Sequence, residues 1–140
     1  MNSEVYPMNK SKFEYKNFAQ KGKGVFLRVS SERAVFKATG EYHRTKKGYV
    51  AVPVRILAGT FVDFDGREHD QGKGTLLLPG FFADDESLMD TLTDGKIIGV
   101  VCERSKKNGK YYFTMWAVID NLEDVDAFMN DEEEEGEERD

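Results

Sequence analysis

From residue 12 to residue 119, apolar and polar side chains alternate with the period of two that marks half-buried strands. Val25, Leu27 and Val29 share one parity, and Phe26 and Arg28 the other. Ala34, Phe36, Ala38 and Tyr42 alternate with Val35, Lys37, Thr39, Glu41 and His43. After the turn RTKKG (44–48), Val50, Val52, Val54 and Ile56 form one face, with Tyr49, Ala51, Pro53 and Arg55 on the other. A polar loop over 63–74 leads into TLLLP (75–79). Strands over 96–104 and 110–119 flank SKKNG, whose Asn108-Gly109 pair tolerates the positive φ of a hairpin turn. On the last strand Tyr111, Phe113, Met115, Ala117 and Ile119 should face the core, leaving Tyr112, Thr114, Trp116 and Val118 outward. One stretch breaks the period. Asp84 or Asp85 can cap a helix over 85–93, Leu88, Met89 and Leu92 give it an apolar stripe, and Gly95 stops it.

The chain thus reads as all-β with one short helix. An extra N-terminal strand or hairpin (near 13–29) precedes three strands, the helix and a two-stranded hairpin. No repeat of 20–50 residues is present, and the length suits one domain in the usual ~100–200 residue range. Residues 1–11 are polar and read as a flexible N-terminus, 12–119 as the folded body and 120–140 as an acidic C-terminal tail.

Charge sharpens this division. The formal net charge of −6 hides 19 basic against 14 acidic residues in 1–119, and 1 against 12 in 120–140. Within the body, residues 1–55 carry 12 basic and 4 acidic, 56–95 carry 2 and 9, and 96–119 carry 5 and 1. No apolar run approaches the ~18–20 residues of a membrane span, and the N-terminus lacks the apolar centre of a signal peptide. The lone Cys102 excludes an intramolecular disulfide framework. These features predict a soluble protein of a reducing compartment, without membrane association.

In element order, residues 34–119 resemble an OB-fold, the five-stranded Greek-key barrel with a helix between its third and fourth strands. A basic body with an acidic tail is similar to the single-stranded DNA-binding proteins of bacteria and tailed bacteriophages. The resemblance implies sequence-independent coating of exposed single-stranded DNA during replication or recombination, in the bacterial cytoplasm or an infected host cell. It also implies a tail that gates access and recruits replication or recombination proteins. This tail ends EEGEERD, without the aromatic or apolar tip that partners of such tails often grip.

In that barrel the basic blocks should converge on one cleft. Arg28, Lys37, Lys46, Lys47, Arg55, Lys106, Lys107 and Lys110 are the expected phosphate contacts. Phe26, Tyr49, Tyr112 and Trp116 are the expected stacking rings, since unpaired bases need flat surfaces. Phe128, Asp131, Glu132, Glu133, Glu134 and Glu135 are the expected partner contacts, although Leu122, Val125, Phe128 and Met129 could equally dock on the body. An open edge strand admits pairing into a homodimer.

Catalytic readings fare worse. Asp63, Asp65, Glu68, His69 and Asp70 lack the ligand spacing of a calcium hand. No nucleophile–base spacing, cofactor motif or phosphate-cradling loop is present, so no enzyme activity, cofactor or metal is expected. Two rivals stand beside DNA binding: a protein-interaction module whose acidic tail mimics nucleic acid, and an RNA-binding OB domain.

Overall fold

A computed structural model describes residues 12–22, 28–63 and 65–131, with all their side chains except those of 19–22 and 28. The strands are β1 (Lys16–Gly22), β2 (Arg28–Val29), β3 (Arg33–Ala38), β4 (His43–Arg44), β5 (Val50–Ala58), β6 (Phe61–Val62), β7 (Glu68–His69), β8 (Gly72–Leu78), β9 (Ile97–Arg104) and β10 (Tyr111–Ile119). Between β8 and β9 lie a 3-10 turn, Gly80–Asp84, and helix α1, Glu86–Thr91; after β10 come a second 3-10 turn, Leu122–Asp124, and helix α2, Val125–Met129. The fold is all-β with little helix, as the alternation predicts.

Backbone pairing runs β8–β5–β3–β9–β10–β1, antiparallel throughout, with β4 also on β5. A small ladder, β2–β6–β7, stands apart. The extra N-terminal strand is therefore two elements that do not pair with each other. Among the described residues no hydrogen bonds join β8 to β10, so the sheet is not closed into a barrel by its backbone.

Side chains nonetheless gather the two ends around one interior. Val50, Val52, Val54 and Ile56 point inward as the alternation requires, and Ala34, Phe36 and Ala38 of β3 meet them. Leu76 and Leu78 of β8 share this cluster with Phe113 of β10, although three strands lie between these two along the pairing path. Aromatic rings bridge the gap. Phe18 of β1 stacks on Phe82 with centroids 5.0 Å apart and lies 5.3 Å from Phe113, while Phe82 lies 6.0 Å from Phe113. Such contacts add about 0.5–1.5 kcal/mol each beyond the burial of their surface. Helix α1 covers one end of the interior with Leu88 and Met89, and its cap, Asp85, accepts from Leu88 N at 3.2 Å.

Two local features differ from the sequence expectation. In β10, Phe113 pairs with Cys102 and Met115 with Val101, so Thr114 is an extra residue. Such a bulge reverses the parity beyond it. Trp116 consequently points into the main core, 1% exposed, and Val118 packs on the same cluster, while Ala117 and Ile119 turn to the opposite face. The Asn108-Gly109 signal falls within a longer loop, closed by Ser105 N donating to Lys110 O at 2.8 Å.

The second difference concerns the C-terminal segment. Residues 122–129 do not belong to an unstructured tail: Val125 and Phe128 are buried with Val35, Ala117, Ile119 and Phe13 in a second core on the outer face of the sheet. Phe128, expected as a partner handle, is fully buried. Gly99 makes room for it, since a Cβ there would come within 2.5 Å of the Phe128 ring. The acidic run left over, 132–140, lies outside the described residues.

Replacing Phe128 with alanine should cost about 3–5 kcal/mol. In urea denaturation this appears as a lowered midpoint with unchanged slope. Ending the chain after residue 119 should lower the midpoint at least as far.

Candidate functional site

Strand register, rather than the lysine-rich turns, sets three cations side by side among the described residues. Lys37 of β3 pairs in register with Arg55 of β5, and Arg55 with Lys73 of β8. All three are exposed, on the side away from the Val50–Ile56 row. Directly opposed side chains stand about 5 Å apart at Cβ, and like charges so placed repel. Among the described residues none of the three makes an ion pair. Lys37 and Arg55 were legible as candidates. Lys73 was not, because it lies in an acidic stretch and only its register reveals its neighbours.

The turn between β4 and β5 adds a second positive group. Lys46 and Lys47 are exposed; Arg44 Nη2 donates to Gly48 O at 3.1 Å; Tyr49, half-buried, is pinned by Tyr49 N donating to Thr45 Oγ1 at 3.0 Å. The 3-10 turn after β8 presses on it at Gly80, where a Cβ would stand 2.4 Å from Gly48 O. That contact brings Phe81, 37% exposed, beside the basic turn. Sequence reasoning missed Phe81, since it falls between the strand ending at Pro79 and the predicted helix, where no period applies. From Arg55 to Val50 the strand rises about 17 Å, so row and turn lie on one stretch of the β5–β8 pair.

The second lysine-rich turn does not join them along the sheet. β9 ends at Arg104 beyond the Arg33 end of β3, whereas the 45–49 turn lies beyond its Ala38 end. The expected direct convergence of the two turns is therefore corrected: antiparallel register puts them at opposite ends of β3. Lys106, Lys107 and Lys110 are exposed there, with Tyr112 half-buried and its hydroxyl accepting from Asn108 Nδ2 at 3.1 Å. An open groove of about 230 Å³ lies between Glu103, Arg104, Ser105 and Tyr112.

Trp116 is corrected as a stacking ring by its burial. Lys16 Nζ lies 5.7 Å from its ring centroid, and Trp116 Nε1 has no hydrogen-bond partner among the described residues. Phe26 lies outside the described residues. So do Glu132, Glu133, Glu134 and Glu135. Arg28 pairs through its backbone with Val62, and its side chain is not described.

Asp131, the last described residue, is bonded to the body. Tyr15 donates to Asp131 Oδ2 at 2.6 Å and accepts from Arg33 Nη1 at 2.8 Å. Arg33 also donates to Phe128 O at 3.0 Å and lies 4.9 Å from the Phe128 ring centroid. This network fastens α2 down and roots the tail near the Arg33 end of β3. Burial, and then the bond to Asp131, raise the Tyr15 pKa well above its ordinary value. Burial likewise pushes the Cys102 thiol up to about 12. In the acidic loop, Asp63 spends its own oxygens locally: Oδ1 accepts from Asp65 N and Arg67 N, and Oδ2 meets His69 Nε2 at 2.7 Å. The His69 bond, first of all, holds its carboxyl below the usual range.

No protein family, curated protein or solved structure matches this chain. No helix among the described residues is long and apolar enough to cross a membrane.

Groups whose pKa rises on folding retain their proton in the native state after the unfolded chain has lost it. Stability then falls with rising pH, from about 8.5 upward for Cys102 and from about 10 upward for Tyr15. Denaturation midpoints measured across this range should decline for the native sequence, and Tyr15→Phe should make the decline above about pH 10 shallower.

Proposed function

We propose that this chain is an OB-fold protein that binds single-stranded DNA without reading its sequence. The carrying observation is the Lys37–Arg55–Lys73 row on three adjacent strands: three like charges in register, unpaired among the described residues, are stabilised by an external polyanion. The pairing order β8–β5–β3–β9–β10, with α1 between β8 and β9, supports the OB assignment, because it is the strand order of that barrel short of its closing pair. In OB-folds the second and third strands and the loop joining the first two form the nucleic-acid face. Here those parts are β5, β8 and residues 39–49, which hold Arg55, Lys73 and the basic turn, with Lys37 adjoining on β3. Lys106, Lys107 and Lys110 form a separate positive group on the loop between the last two strands.

The acidic remainder follows from the same electrostatics. Residues 132–140 carry seven acidic residues and one basic. Nine residues span at most about 30 Å, so a segment rooted at Asp131 can compete for nearby cations at high effective concentration. On this reading DNA displaces the tail, which then becomes available to replication or recombination proteins.

An oligothymidine titration at several salt concentrations tests the reading. Affinity should fall steeply with salt, because releasing condensed counterions into a saltier solution gains less entropy. Replacing Lys37, Arg55 and Lys73 together with glutamine should flatten the log–log slope by about 2. A chain ending at Asp131 should bind more tightly at low salt; unchanged affinity discards the gating role. Absence of oligothymidine binding by that shortened chain discards DNA binding in favour of a protein-interaction module, and tighter binding of oligouridine redirects the assignment to RNA.

A further inference from the structure

Cations alone do not distinguish an unpaired strand from a duplex, since both present phosphates. A discriminating site needs a flat apolar surface that only an unstacked base can cover. Two large apolar side chains are exposed among the described residues, Phe81 and Leu122. Leu122 has no ring. Phe81 has one, and its setting is specific: the preceding residue, Gly80, is pressed against Gly48 O and lies beside Arg44, and the following residue, Phe82, is buried in the aromatic seam.

The ring itself is held. Phe81 meets Phe82 edge to face, with centroids 4.9 Å apart and an interplanar angle of 86°. A ring already fixed from below loses little freedom when a partner covers it from outside, which is the economy of preorganisation. Arg44, Lys46 and Lys47 stand on the turn that Gly80 touches, so cations suited to flanking phosphates lie on one side. Asp84 and Glu86, both exposed, follow Phe81 in the chain and carry the charge that repels phosphate. From the contact of Gly80 with Gly48, the paired strands β5 and β8 run to the register of Arg55 with Lys73.

We infer that Phe81 is a base-stacking platform that gives this surface its preference for single strands. The inference rests on the nucleic-acid reading above and deepens it: one nucleobase lies on the Phe81 ring while Arg44, Lys46 and Lys47 hold its flanking phosphates. Because every base has a π-face, the site is tolerant of sequence.

The test compares oligothymidine with a duplex of equal length, for the full chain and its variants. Phe81→Ala should weaken oligothymidine binding about 5- to 150-fold, the range that stacking spans. It should leave duplex affinity and the salt slope of both unchanged, so that the single-strand preference falls by the same factor. Phe81→Leu, which keeps apolar bulk without a ring, should not restore the preference. Phe81→Trp should retain it and add fluorescence quenched by oligothymidine, against the small change expected from the buried Trp116 of the unsubstituted chain. An unaltered preference in Phe81→Ala, with weakened binding in the Lys37, Arg55 and Lys73 variant, overturns the stacking role and leaves the nucleic-acid reading standing. Failure of the unsubstituted chain and of the chain ending at Asp131 to bind either nucleic acid removes both. A Phe81→Ala change confined to self-association, seen by sedimentation, assigns the ring to a contact between copies and overturns the inference.

Discussion

The aromatic seam of Phe18, Phe82 and Phe113 holds together what the backbone ladder leaves open. A six-strand antiparallel path that ended in two free edges would expose its apolar face; here the ends curl until Leu76, Leu78 and Phe113 share one interior. Rings do this well because they cover large areas with few rotatable bonds and need no hydrogen-bond register. The row of cations then sits on the reverse side of the same strands. The inward row from Val50 to Ile56 fixes where Arg55 points, and the pairing of β5 with its two neighbours fixes Lys37 and Lys73 beside it.

The outer face is divided between two uses. Toward the Arg33 end, α2 lies on Val35, Ala117 and Ile119 and is fastened by Arg33, Tyr15 and Asp131. Beside it, the face carries cations at Lys37 of β3, Arg55 of β5 and Lys73 of β8. The helix is thus a cover for apolar sheet surface, and the row beside it is surface that nothing in the described chain neutralises. Phe82 links the two layers of the design, since it closes the seam on one side and supports the exposed Phe81 on the other.

Much of this was legible in the sequence where a local rule governs. Period-two alternation located β5, β9 and β10, and Asp85 with the Leu88 and Met89 stripe located α1. Parity failed in β10 because a single extra residue, Thr114, is invisible to composition and reverses every side chain after it; Trp116 changed sides for that reason. Phe128 was ambiguous because its burial depends on Gly99, 29 positions earlier, offering space beneath it. Lys73 and Phe81 escaped notice because their significance is a matter of neighbours: one acquires two cations through register, the other a basic turn through a glycine contact. Charge blocks along the chain did identify a positive surface, but their meeting place is a property of strand order, which no local pattern encodes.

Cys102 carries a practical consequence. Its side chain faces the main core, and its proton is held so firmly that reactive thiolate is scarce at neutral pH. Alkylating reagents therefore reach it only when β9 separates from its neighbours. The pace of labelling becomes a clock for opening of the central sheet, and native preparations should resist oxidative cross-linking between molecules without added reductant.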